Sequence, residues 1–354
     1  MSEAFTTYLG KPWSASRTPR PSCLVADVHA HVSVPESVAL AKDNLDSAND
    51  PRLRFSDPRT NEYNRLQGAH ITGKLTDPAE RLADMDAMGI DVQLLSIAPP
   101  QYYYQADPDL GAALSRLQND RIAELAATAP DRLIPMGTLP LQALAEAQRE
   151  LRRITDELGF RGLEINTNVA GTDLDDASLA WFWEEVERRG LTVVLHPHGF
   201  SHADRLDAYY LSNVIGLPLE SSIALSRLIL AGVLERHPSL KLVVVHGGGY
   251  LPSYIARTDH AWRHRPETRQ HISRPPSEYL RRVHFDTTTH SADAVALLVA
   301  RYGADHVLLG TDYPFDMGET DPVSLIADAK LDAGRSELVL GGNVARLMGL
   351  SANV

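Results

Sequence analysis

Eight short apolar runs alternate with eight amphipathic stretches along this chain, and few folds accommodate that order. The apolar runs lack strict alternation with polar residues, which is typical of parallel strands buried on both faces. The predicted strands are Leu24–His29, Val92–Ile97, Leu133–Thr138, Gly162–Asn166, Thr192–His196, Leu242–His246, Val283–Asp286 and Val307–Gly310. The predicted helices are Pro78–Met88, Leu110–Ala129, Leu141–Leu158, Ser178–Arg189, Leu219–Arg236, Pro252–Trp262, Ala292–Tyr302 and Val323–Ala333.

A strand–helix unit repeated eight times predicts an α/β protein with a (β/α)8 barrel, also called a TIM barrel. The alternative is a doubly wound open sheet, which is disfavoured because no G-x-G-x-x-G follows the first strand. Residues 32–76 and 197–218 exceed a normal strand-to-helix loop and predict long insertions at the C-terminal face of the barrel. We therefore expect an N-terminal arm over residues 1–22 and a single barrel domain over residues 23–354.

Residues that can bind a metal stand where several predicted strands end. In the first strand His29 and His31 are two residues apart, so both side chains point to the same face. His196, His246 and Asp312 lie at or just beyond the ends of the fifth, sixth and eighth strands. The carboxyl ends of barrel strands meet at one face, where the active sites of this fold lie. The spacing therefore predicts a metal site at that face.

Each of these residues taken alone has an ordinary explanation. A single histidine at a strand end is usually a hydrogen-bonded structural side chain, and an H-x-H pair alone is a weak signal. Four histidines and an aspartate at converging strand ends are harder to explain as structure, because burying them without partners would cost several kcal/mol. A metal site is therefore the favoured interpretation of the whole set.

Composition limits the kind of site and the partners. The single cysteine, Cys23, permits neither an intrachain disulfide nor a cysteine-based metal cluster, so we expect a cytoplasmic protein whose metal relies on His and carboxylate ligands. The net charge of −12 argues against nucleic-acid binding through phosphates. No apolar run approaches the roughly 20 residues that span a bilayer, so we expect no membrane partner.

Several motifs resemble the amidohydrolase superfamily, in the branch of aminocarboxymuconate-semialdehyde decarboxylase and related aromatic-acid decarboxylases. The resemblance covers residues 24–350. Its motifs are Asp27-Val28-His29-Ala30-His31, Gly159-Phe160-Arg161-Gly162-Leu163-Glu164-Ile165, Leu195-His196-Pro197, His246-Gly247-Gly248-Gly249 with Pro252 and Arg257, and Leu309-Gly310-Thr311-Asp312-Tyr313-Pro314-Phe315. The last two motifs are specific in combination, whereas the H-x-H motif alone is not.

The resemblance implies a role for each matching residue. It implies that one divalent metal is held by His29, His31, His196 and Asp312, and that His246 is the catalytic acid/base, with Asp312 also counted as catalytic. Such nitrogen and oxygen ligands favour Zn²⁺ and leave Mn²⁺ or Fe²⁺ as alternatives. The resemblance further implies a homodimer in which Arg257 binds the substrate carboxylate, often across the subunit interface. A surface ion pair is the structural alternative for Arg257.

The chain departs from that branch at two positions. An arginine that binds the substrate carboxylate in the decarboxylase matches Ala69 here, beside His70, and the nearest upstream arginine is Arg65. A tryptophan two residues beyond the fifth-strand histidine is His198 here. We expect an altered substrate pocket in which His70 and His198 contact the substrate, together with Asn166 after the fourth strand.

The predicted function is a metal-dependent decarboxylase, a C–C lyase, of a small aromatic or ring-opened unsaturated carboxylic acid. Metal-bound water and His246 would act as acid and base in that reaction. The alternative on the same site is a hydrolase or hydratase of a small amide, lactone, ester or unsaturated acid. A binding barrel without catalysis is a third hypothesis.

Overall fold

A computed structural model describes residues 16–42, 44–45 and 50–350. It contains the predicted alternation of strands and helices. The barrel strands are β1 (Ala26–Val32), β2 (Val92–Ile97), β3 (Leu133–Pro135), β4 (Gly162–Ile165), β5 (Thr192–Leu195), β6 (Lys241–Val244), β7 (His284–Asp286) and β8 (Val307–Leu308). A short hairpin, Asn168–Val169 with Thr172–Asp173, follows β4.

The strands form a closed parallel ring. Strands β1, β2 and β3 pair in that order, and β4 to β8 pair in sequence order. Backbone hydrogen bonds join the two groups at both ends: the His31 N–H donates to Tyr313 O at 2.8 Å, and the Gly137 N–H donates to Gly162 O at 2.9 Å. The predicted TIM barrel is confirmed, and the open-sheet alternative is wrong because these bonds leave no free sheet edge.

Helices surround the barrel and also fill its first insertion. The α-helices are α1 (Pro35–Lys42), α2 (Pro51–Arg54), α3 (Pro58–Thr76), α4 (Pro78–Met88), α5 (Pro108–Ala127), α6 (Leu144–Asp156), α7 (Ala180–Arg189), α8 (Leu217–Leu230), α9 (Val233–Arg236), α10 (Leu251–His264), α11 (Pro276–Leu280), α12 (Ala292–Tyr302), α13 (Pro322–Asp328), α14 (Ala333–Glu337) and α15 (Asn343–Met348). Short π-helical turns, Ser212–Gly216 and Leu338–Gly342, precede α8 and α15.

The segment 32–76, predicted as a long loop, is largely helical in its described part. The helix α3 begins where the Asp57 side chain accepts a hydrogen bond from the Thr60 N–H and Pro58 occupies its first turn. Only Gln67 and Ile71 of α3 are buried, so its sequence lacks the apolar stripe by which helices are recognised. The prediction missed α3 because this helix covers the barrel mouth with polar residues.

The described end of the predicted N-terminal arm packs on the barrel. Arg17 pairs with Asp321 at 2.9 Å, and the Thr18 N–H donates to Ser324 Oγ at 3.1 Å. Both acceptors belong to the start of α13, so residues 16–18 lie against that helix. Residues 1–15 of the arm lie outside the described residues.

The helix running from Ser212 to Leu230 is long and apolar enough, by length and composition, to cross a membrane. Among the described residues it is the one helix that meets this test. In the structure it includes α8 and packs against the barrel with Leu225 and Leu228 fully buried.

His284, at the start of β7, makes the stability of the barrel sensitive to acid. Its ring is buried, lies at a tilt beside the His306 ring with centroids 4.8 Å apart, and donates through Nδ1 to Leu242 O at 3.3 Å. Burial, followed by the neighbouring His306, lowers the pKa of His284 to about 4. At this histidine the unfolded chain therefore binds a proton more readily than the folded protein does. The folded state is fully stabilised above the ordinary pKa of about 6.5 and loses that stability as the pH falls towards 4.

When the pH falls from 7 to 5, we expect the unfolding free energy of wild type to drop by about 2 kcal/mol more than that of His284→Gln. Urea unfolding at both pH values measures this quantity. His271→Gln, on an exposed histidine, is the control and should keep the wild-type pH dependence. An unchanged pH dependence in His284→Gln would show that this ring is not the titrating group.

Candidate active site

Four predicted ligands converge at the C-terminal mouth of the barrel. One ligand atom from each of His29, His31, His196 and Asp312 lies within 4.8 Å of the others. Asp312 Oδ1 is 3.0 Å from His31 Nε2, 3.3 Å from His29 Nε2 and 4.0 Å from His196 Nε2. All four residues are buried, so the described part of the chain has one divalent metal site, built from three imidazoles and a carboxylate.

Hydrogen bonds on the outer side of two rings decide which nitrogen faces the centre. His29 Nδ1 lies 2.6 Å from Asp286 Oδ2, and His196 Nδ1 lies 2.8 Å from Pro197 O. The Nε2 atoms of both rings point inward and are buried without a hydrogen-bond partner. Buried imidazole nitrogens in this state are costly unless an ion binds them, and carboxylate or carbonyl partners of this kind orient histidine ligands in metal sites.

The electrostatics differ between two of the imidazoles: burial lowers the pKa of His29, but Asp312 and Asp286 outweigh it and hold that pKa well above its ordinary value, so a metal that binds His29 has to displace a proton. Burial, reinforced by the neighbouring His31, lowers the pKa of His196 well below its ordinary value, so the ring is neutral as a ligand must be. Burial alone would raise the pKa of Asp312, but His29 and His246 hold it well below its ordinary value. A neutral imidazole beside a carboxylate is the donor set that divalent metals of the Zn²⁺, Mn²⁺ and Fe²⁺ group accept.

His246 lies beside this cluster without belonging to it. Its Nε2 is 3.5 Å from Asp312 Oδ2, and 15% of its side chain is exposed to the cavity. Both His246 and Asp312 have positive φ angles, 55° and 59°, which are uncommon for residues with a Cβ and typical of functional sites. The next residue, Gly247, donates its N–H to Asp286 Oδ1 at 2.8 Å, so Asp286 positions both His29 and the turn that carries His246.

The third imidazole has a buried acid beside it. His31 Nδ1 is 3.8 Å from Glu164 Oε1, which accepts a hydrogen bond from Tyr102 Oη at 2.8 Å. Burial, followed by the charge of Glu164, raises the pKa of Tyr102 well above its ordinary value, so the hydroxyl remains a donor. Glu164 and Tyr102 therefore form a fixed wall behind His31.

A fully buried polar network lies one layer below the metal site. Asp27 Oδ1 accepts from the backbone N–H groups of His29 and Thr311, both at 3.0 Å. Asp27 Oδ2 accepts from Gln93 Nε2 at 2.8 Å and from Thr311 Oγ1 at 2.6 Å. The Asp27 carboxylate thus links β1, which contains His29, to the segment after β8, which contains Asp312.

We expect Asp27→Asn to weaken metal binding by about 10- to 100-fold, the range found for outer partners of metal ligands. The amide cannot accept at both of its ends, so it loses part of the link between the two ligand-bearing segments. Metal titration gives the dissociation constant. Asp131→Asn, on an exposed aspartate, is the matched control, and equal metal affinity in Asp27→Asn and wild type would contradict the role.

The cluster opens into a cavity of about 630 Å³. His196, His246 and Asp312 lie on its wall, and so does His198. His198 was predicted as a substrate contact, and its position in the cavity is compatible with that role. Asn166 is not among the lining residues; its Oδ1 accepts from the His198 N–H at 2.9 Å, so it holds the loop that carries His198.

Two other predicted substrate contacts lie away from the cavity within one chain. His70 is exposed on α3, whereas Gln67 and Ile71 of the same helix line the cavity. Arg257 is exposed on α10 and does not line the cavity of its own chain. Any contact of Arg257 with substrate therefore has to be made in a neighbouring subunit.

Two buried residues of the site, Asp286 and Arg81, were not predicted from the sequence. Asp286 ends β7, so the strand-end rule that selected His196 and Asp312 could also have selected it. Arg81 donates to Gln93 Oε1 at 2.6 Å and to His31 O, and its guanidinium lies over the Tyr313 ring at 4.7 Å. Arg81 lies on the buried face of α4 with Met85 and Met88. Because an arginine in a helix is normally exposed, only the tertiary structure identifies it.

Known proteins resemble this chain over most of its length. A 2-amino-3-carboxymuconate-6-semialdehyde decarboxylase from Dictyostelium discoideum is 37% identical over 285 residues, which cover 80% of this chain and 79% of that protein. The crystal structure of a 5-carboxyvanillate decarboxylase from Sphingomonas paucimobilis is 27% identical, with a TM-score of 0.82, and covers 93% of this chain and 100% of that one.

A third protein shares the fold at lower identity. The 5-carboxyvanillate decarboxylase from Novosphingobium aromaticivorans, solved with manganese and 4-hydroxy-3-methoxy-5-nitrobenzoic acid, is 24% identical with a TM-score of 0.81, and covers 96% of this chain and 100% of that one. The amidohydrolase family profile matches residues 26–350, which include every residue of the metal cluster. On these grounds and on its geometry, the chain belongs to the amidohydrolase family.

Proposed function

We propose that this protein is a metal-dependent decarboxylase of an aromatic or ring-opened unsaturated carboxylic acid. The observation that carries the proposal is the arrangement of His246 next to, but outside, a cluster of three histidines and Asp312. Such a site offers a Lewis acid and a separate proton carrier to one substrate. The relatives named above act on a carboxymuconate semialdehyde and on 5-carboxyvanillate, and both are decarboxylases.

The protein's own groups supply the proton transfer. A divalent metal, when bound, polarises a substrate oxygen and so makes the adjoining unsaturated carbon skeleton able to accept electrons. His246 donates a proton to the carbon that bears the carboxylate, and a new C–H bond forms there. The C–C bond to the carboxylate then breaks, its electron pair returns to the ring or chain, and CO₂ leaves. His246 regains its proton from water in the cavity.

Release of CO₂ from candidate acids by the metal-loaded enzyme tests this function. We expect turnover of aromatic or muconate-type acids and none of the matching esters, lactones or amides. The hydrolase or hydratase alternative receives no support from the relatives. Ester, lactone or amide turnover without CO₂ release from any acid would replace the proposal with that alternative.

We propose Zn²⁺ as the metal, with Mn²⁺ or Fe²⁺ as alternatives, because three imidazoles and one carboxylate are a common zinc ligand set. The manganese in the Novosphingobium enzyme makes Mn²⁺ the first competitor to test. Elemental analysis of the purified protein, followed by removal of the metal and activity after addition of each ion, measures the preference. Restoration by Mn²⁺ but not by Zn²⁺ would overturn this assignment.

We propose in addition that the protein is a homodimer in which Arg257 serves the neighbouring site. Three apolar residues around the cavity mouth and on α10 are exposed: Tyr254 by 66%, Val214 by 47% and Tyr250 by 42%. Val214 and Tyr250 also line the cavity, so an apolar face continues from the cavity mouth to α10, which carries Arg257. A second copy that covered this face would bring its own Arg257 near the cavity.

Light scattering after size exclusion measures the mass in solution, and complementation tests the role of Arg257. We expect His246→Ala and Arg257→Ala to be inactive alone, and mixing them under subunit exchange to restore part of the activity. Restoration follows because one site in each mixed dimer has both residues intact. A monomer of full activity would exclude the shared site.

A further inference from the structure

The helix α3, which covers the barrel mouth, contains a glycine that helix stability disfavours. Gly68 lies in the middle of this 19-residue helix and lines the cavity. Glycine is, after proline, the least favourable residue in a helix interior, because it loses the most backbone freedom on folding. Gly68 does not use that freedom, since its φ lies outside the left-handed region. The backbone conformation therefore gives no reason for a glycine at this position.

Close packing does not explain Gly68 either. Outside its own helical turn, no atom of the described residues lies within 4 Å of the place that a Cβ on Gly68 would take. Gly73, the other glycine of α3, differs because a Cβ there would collide with the carboxylate of Glu80. A side chain at position 68 would instead occupy open space at the cavity wall. The glycine thus keeps this part of the cavity free.

The cavity face of α3 changes in character on either side of Gly68. The C-terminal end of the helix is tied to the metal site, because Leu75 O accepts a hydrogen bond at 3.0 Å from the N–H of Ser33, two residues beyond the ligand His31. Gly68 lies about 10 Å along the helix axis from that end. From the metal end outwards, the cavity-lining residues of α3 are Leu75, Ile71, Gly68, Gln67, Asn64 and Thr60. The face is therefore apolar near the metal and carries uncharged hydrogen-bonding groups beyond it.

The charges of the cavity wall disfavour a second anionic group at this outer end. Asp316 also lines the cavity, and the Gln67 side chain donates a hydrogen bond to its carboxylate. Arg52, the one arginine or lysine among the described residues of the cavity wall, already pairs with Asp50 at 2.7 Å. These three side chains together carry a net negative charge. The amide and hydroxyl groups of α3, in contrast, can donate to or accept from a neutral group.

We propose that the substrate is an acid with an uncharged polar extension, such as a hydroxyalkoxy chain, which passes over Gly68, and that this glycine sets the size of the extension. The inference rests on the proposed function, which places the carboxylate and the unsaturated skeleton at the metal end. The skeleton contacts the apolar part of α3, and the extension continues along the polar part. A side chain at position 68 would occupy the space of the extension, so α3 is less stable than its length allows.

Calorimetric binding to the metal-loaded enzyme tests the inference. The probes are benzoate and 3- and 4-(2-hydroxyethoxy)benzoate, whose ether chains contain no ester, lactone or amide bond. We expect wild type to bind at least one extended acid about tenfold more tightly than benzoate, since four added heavy atoms contribute about 0.3 kcal/mol each. Gly68→Leu should lose that preference with little change for benzoate. The 3- and 4-(carboxymethoxy)benzoates, which end in a second carboxylate, should bind less tightly than the hydroxyethoxy acids.

Two further variants separate the filling of the cavity from a change in the helix. Gly68→Ala should raise the thermal midpoint by about 1–2 °C, because alanine favours the helix, and should bind the extended acids more weakly than wild type. Ala69→Leu is the matched control, since Ala69 is the next residue, is exposed and does not line the cavity. It should bind every probe as wild type does.

Four results would each overturn the inference. They are a wild type that prefers no extended acid, a Gly68→Leu that keeps the preference, tighter binding of a carboxymethoxy acid than of its hydroxyethoxy counterpart, and a Gly68→Ala whose midpoint does not rise. Binding is measured without turnover, so a protein that releases no CO₂ refutes the proposed function and leaves this result readable.

Discussion

Replacing His246 with asparagine is expected to lower turnover about a thousandfold, within the range for loss of a general acid or base, while the metal stays bound. The physical reason is the position of His246, which lies 3.5 Å from Asp312 Oδ2 but outside the four-residue cluster. Asparagine suits the test because the backbone there has a φ of 55°, a left-handed conformation that asparagine tolerates better than most residues. An alanine variant should give the same result with more risk of local rearrangement.

Two measurements separate the loss of proton transfer from the loss of metal. Elemental analysis of His246→Asn should give the wild-type metal content, and CO₂ release should fall with saturating substrate. His271→Asn, on an exposed histidine, should leave both values unchanged. If His246→Asn also lost its metal, His246 would be a ligand and the assigned role would be wrong.

The second large effect is expected at Asp312, where substitution by alanine should abolish activity and weaken metal binding at least a hundredfold. Asp312 Oδ1 lies within 4.0 Å of the inward nitrogens of all three histidine ligands, and Oδ2 faces His246. No other carboxylate in the described part of the chain belongs to that cluster. Its removal leaves three buried imidazoles without the charge that balances a divalent cation.

Asp312→Asn distinguishes the ligand oxygen from the negative charge. It keeps one oxygen and tolerates the φ of 59°, so we expect it to retain more metal than Asp312→Ala and still to be inactive. Metal titration of both variants and of wild type gives the comparison. Asp293→Asn, on an exposed aspartate in the first turn of α12, reports any general effect of losing a charge. Equal metal affinity in Asp312→Ala and wild type would refute Asp312 as a ligand.

Much of the metal cluster was predictable because strand geometry is regular. A spacing of two residues places His29 and His31 on one face, and parallel barrel strands bring the residues at their carboxyl ends together. The predictions for His196 and Asp312 follow from the same rule, and the four residues do meet in the structure. Asp286 also lies at the carboxyl end of a barrel strand, and its contact with His29 makes it part of the site.

The substrate contacts were less predictable because they depend on helices and on neighbouring chains. The polar helix α3 presents Gln67 and Ile71 to the cavity and leaves His70 outside, which only the rotation of that helix decides. Asn166 turned out to hold the backbone of His198 rather than to line the cavity. Arg52 lies in a segment whose sequence predicted only a loop, yet it lines the cavity.

The barrel, and the gathering of four histidines and Asp312 at its mouth, were predictable from the sequence because strand periodicity and burial act locally and repeat in a known way. The division of that set into four ligands and one acid/base, His246, came from the resemblance to the amidohydrolase superfamily. Which polar side chains face the cavity, and which support it from behind, depends on tertiary contacts. Those positions depend on contacts between residues far apart in the chain, such as Asp27 with Thr311 and His29 with Asp286. A local sequence pattern does not predict such contacts, because the residues next to each partner in the sequence are the same kind that flank any buried polar residue.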